Sequence, residues 1–173
     1  MPNRSAAGHE QEFEEFAQAR AAQLYRSAWL LCGSHHQAED LVQETLAKVY
    51  ARWLRPFGRI DNPAAYAQTT LIRTFLGGKR RRSNGEHSYA DVPDRPVADP
   101  AAGADVRLAL RDVLAELPAT DRAVLVLRYL EDLSVDEVAA RMGLSPGAVR
   151  NRSMRALERL RGLVDDSLTI GKD

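Results

Sequence analysis

Between Arg150 and Arg161, five arginines stand against a single acid, Glu158. At about 100° per residue, a helix here gathers Val149, Ser153, Ala156, Leu157 and Leu160 on one side. Asn151, Met154, Arg155 and Glu158 fall on the other, with Arg150, Arg152 and Arg159 on the flanks. This second side carries the chemistry needed to read a duplex. A helix fits the major groove, where an arginine fork spans guanine acceptors, an asparagine amide pairs with adenine and an apolar tip meets a thymine methyl. Asn151, Met154 and Arg155 are the candidate base readers, and Arg150, Arg152 and Arg159 the candidate phosphate ligands. One arginine opposite a core is an ordinary solvated face. Five on a helix framed as this one is favour DNA contact.

The frame is the preceding segment. Ser134, with Glu137 three residues on, forms a capping box that opens a short helix carrying Val135, Val138, Ala139 and Met142 on one face. Gly143 closes it, since a residue without Cβ tolerates the left-handed conformation. Ser145 and Pro146 then open the second helix as N-cap and first-turn proline. Two short helices joined by a tight turn make a helix-turn-helix.

The chain of 173 residues is 45% hydrophobic and formally neutral, which suits a soluble globular protein. Its start lacks the apolar run of a signal peptide and no stretch approaches membrane-spanning length, so the expected location is the cytoplasm, with no membrane segment. Cys32 is alone, which rules out an intramolecular disulfide. Neutrality is unusual in a protein that finds duplex unaided, because nonspecific affinity comes from neutralising phosphates. A neutral reader suits recruitment by a larger partner.

Residues 1–9 lack periodicity and are expected to be a disordered tail. A first helix follows from about Glu10 to Cys32, with Phe13, Phe16, Ala17, Leu24, Ala28 and Leu31 in one stripe and four acids at its start. Ser34 and Gln37 form a second capping box. The next helix buries Leu41, Val42, Thr45, Leu46, Val49 and Trp53 and presents Asp40, Gln43, Glu44 and Lys48. His35 and His36 are adjacent, with no further ligand at metal spacing, so neither a metal site nor a cofactor is expected. A loop from Leu54 to Asp61 leads to Asn62 and Pro63, which begin a third helix packed through Ala64, Ala67, Leu71 and Phe75. Gly77 and Gly78 are expected to end it, before the cations Lys79, Arg80, Arg81 and Arg82. Those four suit phosphate.

Residues 83–104, with three prolines, four acids and few apolar side chains, read as an extended linker. Beyond it, Val106, Leu110, Val113, Leu114 and Leu117 define an amphipathic helix ended by Pro118. Thr120 caps the next, whose apolar residues run nearly all round, as in the buried centre of a bundle. After Arg161 a short polar tail is expected. The fold class is therefore all-α: two small helical domains, 10–82 and 105–165, joined by a flexible linker and ending in a tail, 166–173.

Three segments in this order, Ala38 to Leu46, Asn62 to Arg82 and Leu117 to Arg161, resemble the extracytoplasmic-function sigma factors, the small two-domain branch of the sigma-70 family. The FEEF start is similar to an actinobacterial, SigE-like subgroup. The resemblance implies a protein that binds core RNA polymerase and directs promoter-specific initiation. Asp40, Gln43, Glu44 and Lys48 would meet the clamp helices of the β′ subunit. Arg59, Asn62, Tyr66, Arg73, Lys79, Arg80, Arg81 and Arg82 would recognise and open the minus-ten element. The second domain would sit on the β flap, its last helix reading the minus-thirty-five element. An anti-sigma factor is a further implied partner, and the free protein is expected to be a monomer. Arg73 stands where many relatives carry asparagine, which suits phosphate. The competing reading is a stand-alone helix-turn-helix repressor or activator, which a dimer helix and a palindromic operator would mark. No nucleophile, phosphate loop or carboxylate pair at useful spacing supports an enzyme.

Overall fold

The computed structural model describes residues 6–55, 59–83 and 104–170, with side chains described over 8–55, 59–81 and 106–165. The expected linker lies almost wholly outside the described residues, as do residues 56–58 of the expected loop and residues 1–5 of the expected tail. Seven α-helices occur among the described residues: α1 (Ala6–Cys32), α2 (His35–Trp53), α3 (Pro63–Ser83), α4 (Ala104–Ala115), α5 (Ala119–Leu125), α6 (Val135–Met142) and α7 (Pro146–Ile170). No strand occurs among them.

The first module is α1 to α3. Gly33, at φ +75°, turns the chain at the end of α1, and its N–H donates to the Trp29 carbonyl at 2.8 Å. Ser34 then accepts from the Gln37 N–H to cap α2. At the far end of this hairpin the rings of Phe13, Phe16, Tyr50 and Trp53 pack in tilted and edge-to-face pairs, 4.8 to 5.6 Å between centroids, between α1 and α2. Asn62 caps α3, its Oδ1 accepting from the Ala65 N–H at 3.0 Å. Leu31, Thr45, Val49, Leu71 and Ile72 are buried where the three helices meet.

The second module is built on α5, buried from Arg122 to Leu125. Its continuation, Val126–Leu130, widens into a π-helical turn, in which the Glu131 N–H donates five residues back to the Val126 carbonyl at 3.1 Å. Asp132 follows at φ +52° and redirects the chain toward α6. Both halves of the Ser134–Glu137 capping box are made, and Gly143, at φ +66°, closes α6. Ser145 accepts from the Ala148 N–H at 3.1 Å to cap α7.

Several boundaries depart from expectation. Helix α1 starts at Ala6 instead of Glu10, so Glu10, Glu12, Glu14 and Glu15 lie beyond its first turn. Helix α3 runs through Gly77 and Gly78 to Ser83. The buried anchors Leu71, Ile72 and Phe75 hold the helix just ahead of the two glycines, whose intrinsic cost is about 1 kcal/mol each. Pro118, not Thr120, precedes α5, and no side chain caps that helix. Val106 and Leu110, expected in the core, are 73% and 44% exposed; only Leu114 and Leu117 of that stripe are buried, against Ala156 of α7. Helix α7 continues to Ile170, through the segment expected to be a polar tail.

The two expected modules also meet one another. They are packed together: Leu24, Ala28 and Leu71 of the first share one apolar core with Ala123, Leu127 and Val138 of the second. Burying each such leucine contributes about 1.5–3 kcal/mol.

Candidate nucleic-acid interface

Helix α7 has the two faces expected of a reading helix. Val149, Ser153 and Ala156 are buried against α5 and α6, which fixes its rotation about its own axis. Arg150, Asn151, Met154, Arg155 and Arg159 are exposed on the other side. Met154, at 54% exposure, is an apolar tip held in water. Arg152, 42% exposed on the flank, pairs through its guanidinium with Asp121 of α5 at 2.6 Å and so ties α7 to α5. Beside this face runs a groove of about 330 Å³, lined among others by Arg128, Tyr129, Arg150, Met154 and Arg161. Tyr129 is exposed and lies beneath the Arg128 guanidinium, 5.6 Å from ring centroid to cation. Sequence reasoning missed Tyr129, because the apolar run around α5 gives no sign that its last turn widens and turns a ring outward.

The second cationic surface is on α3. Tyr66, Arg73 and Arg80 are seven residues apart, two helical turns each, and so share a stripe; Arg73, Arg80 and Arg81 are exposed and Tyr66 is half-buried. Lys79 lies over the Phe75 ring at 6.0 Å. Because α3 is unbroken through the glycines, the basic run is helical and the stripe is continuous. Arg59 is 93% exposed and 3.8 Å from Asp61, an ion pair of little energetic weight. Asn62 spends its side-chain oxygen on the cap of α3. The side chain of Arg82 lies outside the described residues.

The third surface is the polar face of α2, where Asp40, Gln43 and Glu44 are exposed in a row. Lys48 is held on both sides, 2.7 Å from Glu44 and donating to Thr74 Oγ1 at 3.0 Å, so it anchors α2 to α3. Near the start of the same helix, Tyr25 hydrogen-bonds His35 Nδ1, and His35 Nε2 lies 3.2 Å from Glu39. No cluster of three or more metal-ligating side chains occurs among the described residues. No helix among them is long and apolar enough to cross a membrane.

Family models match both modules: Sigma-70 region 2 over residues 11–85, and Sigma-70, region 4 over residues 107–160. The chain is 37% identical to an RNA polymerase sigma-E factor of Streptomyces coelicolor over 87% of its own length and 84% of the relative's. It is 33% identical to the ECF RNA polymerase sigma factor SigL of Mycobacterium tuberculosis, covering 82% of each chain. Among solved structures it is similar to the sigma factor RpoE of Bartonella quintana in complex with the anti-sigma factor NepR. That likeness has a TM-score of 0.70 and 26% identity, and covers 90% of this chain and 98% of the other. The chain belongs to the sigma-70 family, within its ECF branch of RNA polymerase sigma factors.

Proposed function

We propose that this sigma factor divides promoter recognition between its modules, α7 reading the minus-thirty-five element and α3 recognising and opening the minus-ten element, while α2 docks on core RNA polymerase. The observation that carries the reading is the exposed Asn151, Met154 and Arg155 row on a helix locked in rotation by its buried side. Arg150 and Arg159 flank the row as phosphate ligands.

The continuous Tyr66, Arg73 and Arg80 stripe supports the assignment of α3. Opening a duplex costs unstacking energy, which an aromatic ring that stacks on a released base and cations along the strand can offset. Lys79 and Arg81 lie beside this stripe, and Arg59 and Asn62 precede it in the chain. Arg73, exposed on the outer face of α3 between the buried Ile72 and Thr74, is assigned to phosphate. The polar row Asp40, Gln43 and Glu44 supports α2 as the polymerase face, the clamp helices of β′ being its partner and the β flap that of the second module.

An anti-sigma factor is the further partner we assign, supported by the likeness to RpoE in its complex with NepR. The protein acts by binding, without chemistry of its own, and in the bacterial cytoplasm. Co-elution with purified core polymerase on gel filtration tests the docking: a shared peak is expected, and separate peaks would refute it.

A further inference from the structure

Helix α7 carries more cationic chemistry than its base-reading row uses. On a wheel of about 100° per residue, Asn151, Glu158 and Arg155 fall to one side of Met154, and Arg159 lies farther round that way, about 140° off. Arg161 and Arg150 fall to the other side, about 20° and 40° off, and both line the groove of about 330 Å³ beside α7. The opposite wall of this groove comes from the widened turn after α5, where the Tyr129 ring is more than half exposed. Arg128 lies over that ring and donates through Nη1 to the Leu133 carbonyl, so cation and ring are held together. Ser153, buried, also lines the groove; its hydroxyl and Arg128 Nε are buried donors without a partner among the described residues.

The dimensions of a duplex say what fits there. A helix with its side chains is about 10–12 Å across and the major groove about 12 Å wide, so a helix seated in it has a strand against each flank. Arg159 serves one flank. On the other, Arg150 and Arg161 stand three turns apart, about 16 Å along the axis, with Tyr129 across the groove from them. Three arginines, Arg128, Arg150 and Arg161, line the groove against one carboxylate, Glu158. Cations and a hydroxyl meet phosphate oxygens, and the face of a ring meets a sugar, which is the chemistry of a nucleic-acid backbone.

We infer that the groove between Tyr129 and α7 holds the sugar-phosphate strand bordering the minus-thirty-five element on the side opposite Arg159, with the Tyr129 hydroxyl and Arg161 as phosphate ligands. The inference rests on the proposed reading of DNA by α7 and adds to it a contact from outside the helix-turn-helix. Tyr129 sets register instead of sequence: a phosphate contact carries no base information, but a second line of contact beside α7 opposes rolling and sliding of the reading helix in the groove. Arg128 is a positioning residue that acts through the Tyr129 ring. Glu158 works against the three arginines and keeps the contact weak enough to release.

The test uses holoenzyme assembled from the full-length protein and core polymerase, with promoter affinity measured over a salt series on promoters that differ singly in the minus-thirty-five element. Tyr129→Ala should bind every promoter about tenfold more weakly, by one common factor, and Tyr129→Phe, which keeps the ring, about threefold more weakly. Arg161→Gln should make the slope of log affinity against log salt shallower by about one, whereas the uncharged Tyr129 leaves that slope as it is. Should Tyr129→Ala lose its helical circular dichroism, Tyr129→Phe and Arg161→Gln carry the test. Unchanged affinity in the Tyr129 variants, a loss confined to one promoter position, or an unchanged slope for Arg161→Gln would overturn the strand assignment. Failure of folded Tyr129→Ala to co-elute with core polymerase would overturn it too, giving the groove to a protein partner. Arg155→Ala, measured alongside, separates the two readings: if it relaxes one position, a failure of the Tyr129 and Arg161 variants counts against the groove alone, and if it relaxes none, base reading by α7 fails as well.

Discussion

Arg122 of the second module donates through Nη1 to the backbone carbonyl of Leu31 at the end of α1, while its Nη2 serves the carbonyls of Ala115 and Leu117 where α4 ends. One guanidinium, 7% exposed, thus closes two helix C-termini, where the aligned backbone dipoles favour a cation. Burial pushes its pKa below the ordinary value, and the nearby Cys32 partly offsets this. The fork geometry explains why lysine could not serve: a single ammonium cannot reach three carbonyls on two separated helix ends.

Replacing Arg122 with leucine leaves those carbonyls without their donors. At about 1–3 kcal/mol for each buried acceptor left unpaired, the loss should be about 3 kcal/mol or more in urea unfolding. A loss below about 1 kcal/mol would show that the carbonyls find other partners.

Base reading by α7 is tested with Arg155→Ala. Promoter use should weaken by about 1–3 kcal/mol, and discrimination should relax at one minus-thirty-five position. An equal loss on every promoter variant would assign Arg155 to phosphate instead.

The α2 face is tested by reversing its charge. Asp40→Arg combined with Glu44→Arg should abolish co-purification with core polymerase while circular dichroism and the thermal midpoint stay near those of the wild type. Unchanged co-purification would remove the acidic row from the docking surface.

The capping box of α6 makes a prediction in pH. Hydrogen bonds from the Ser134 backbone and then the Ser134 side chain, with the field of Arg141, hold Glu137 below the ordinary carboxylate value, against a desolvation effect of opposite sign. A lowered folded value means that the stabilisation is fully present above the unfolded pKa and fades as pH falls through the folded one. The thermal midpoint of Glu137→Gln should therefore fall below that of the wild type near pH 7, and the two should converge below about pH 4. A gap constant from neutral to acid pH would contradict this. Ser134→Ala should lower the neutral midpoint by about 2–4 °C.

What was legible in the sequence was local. Ser134 with Glu137, Gly143 and Ser145 act through hydrogen bonds and dihedrals within four residues, so the helix-turn-helix and the rotation of α7 followed from spacing alone. What escaped was set at long range. The Arg122–Leu31 and Glu131–Gln23 contacts leave no periodic mark, and a Pro-rich segment between two amphipathic patterns does not say whether the modules pack. Arg152 looked like its exposed neighbours until Asp121 was placed beside it. Gly77 and Gly78 carried a real propensity for stopping a helix, which the packing of Leu71, Ile72 and Phe75 overrode. In the candidate site, residue types and spacing placed the exposed rows of α7 and α2, whereas Tyr129 beside α7 depended on a widened turn that no pattern announces.

The central claim, that one chain reads two promoter elements for the polymerase, is tested most directly by run-off transcription from a randomised promoter library with core polymerase and the purified protein. The account predicts that active promoters share two sequence blocks about 25 base pairs apart, and that Arg155→Ala relaxes only the upstream block whereas Tyr66→Ala impairs opening at the downstream one. Transcripts without a paired motif, or tight binding of duplex by the protein alone with no effect on polymerase, would contradict it.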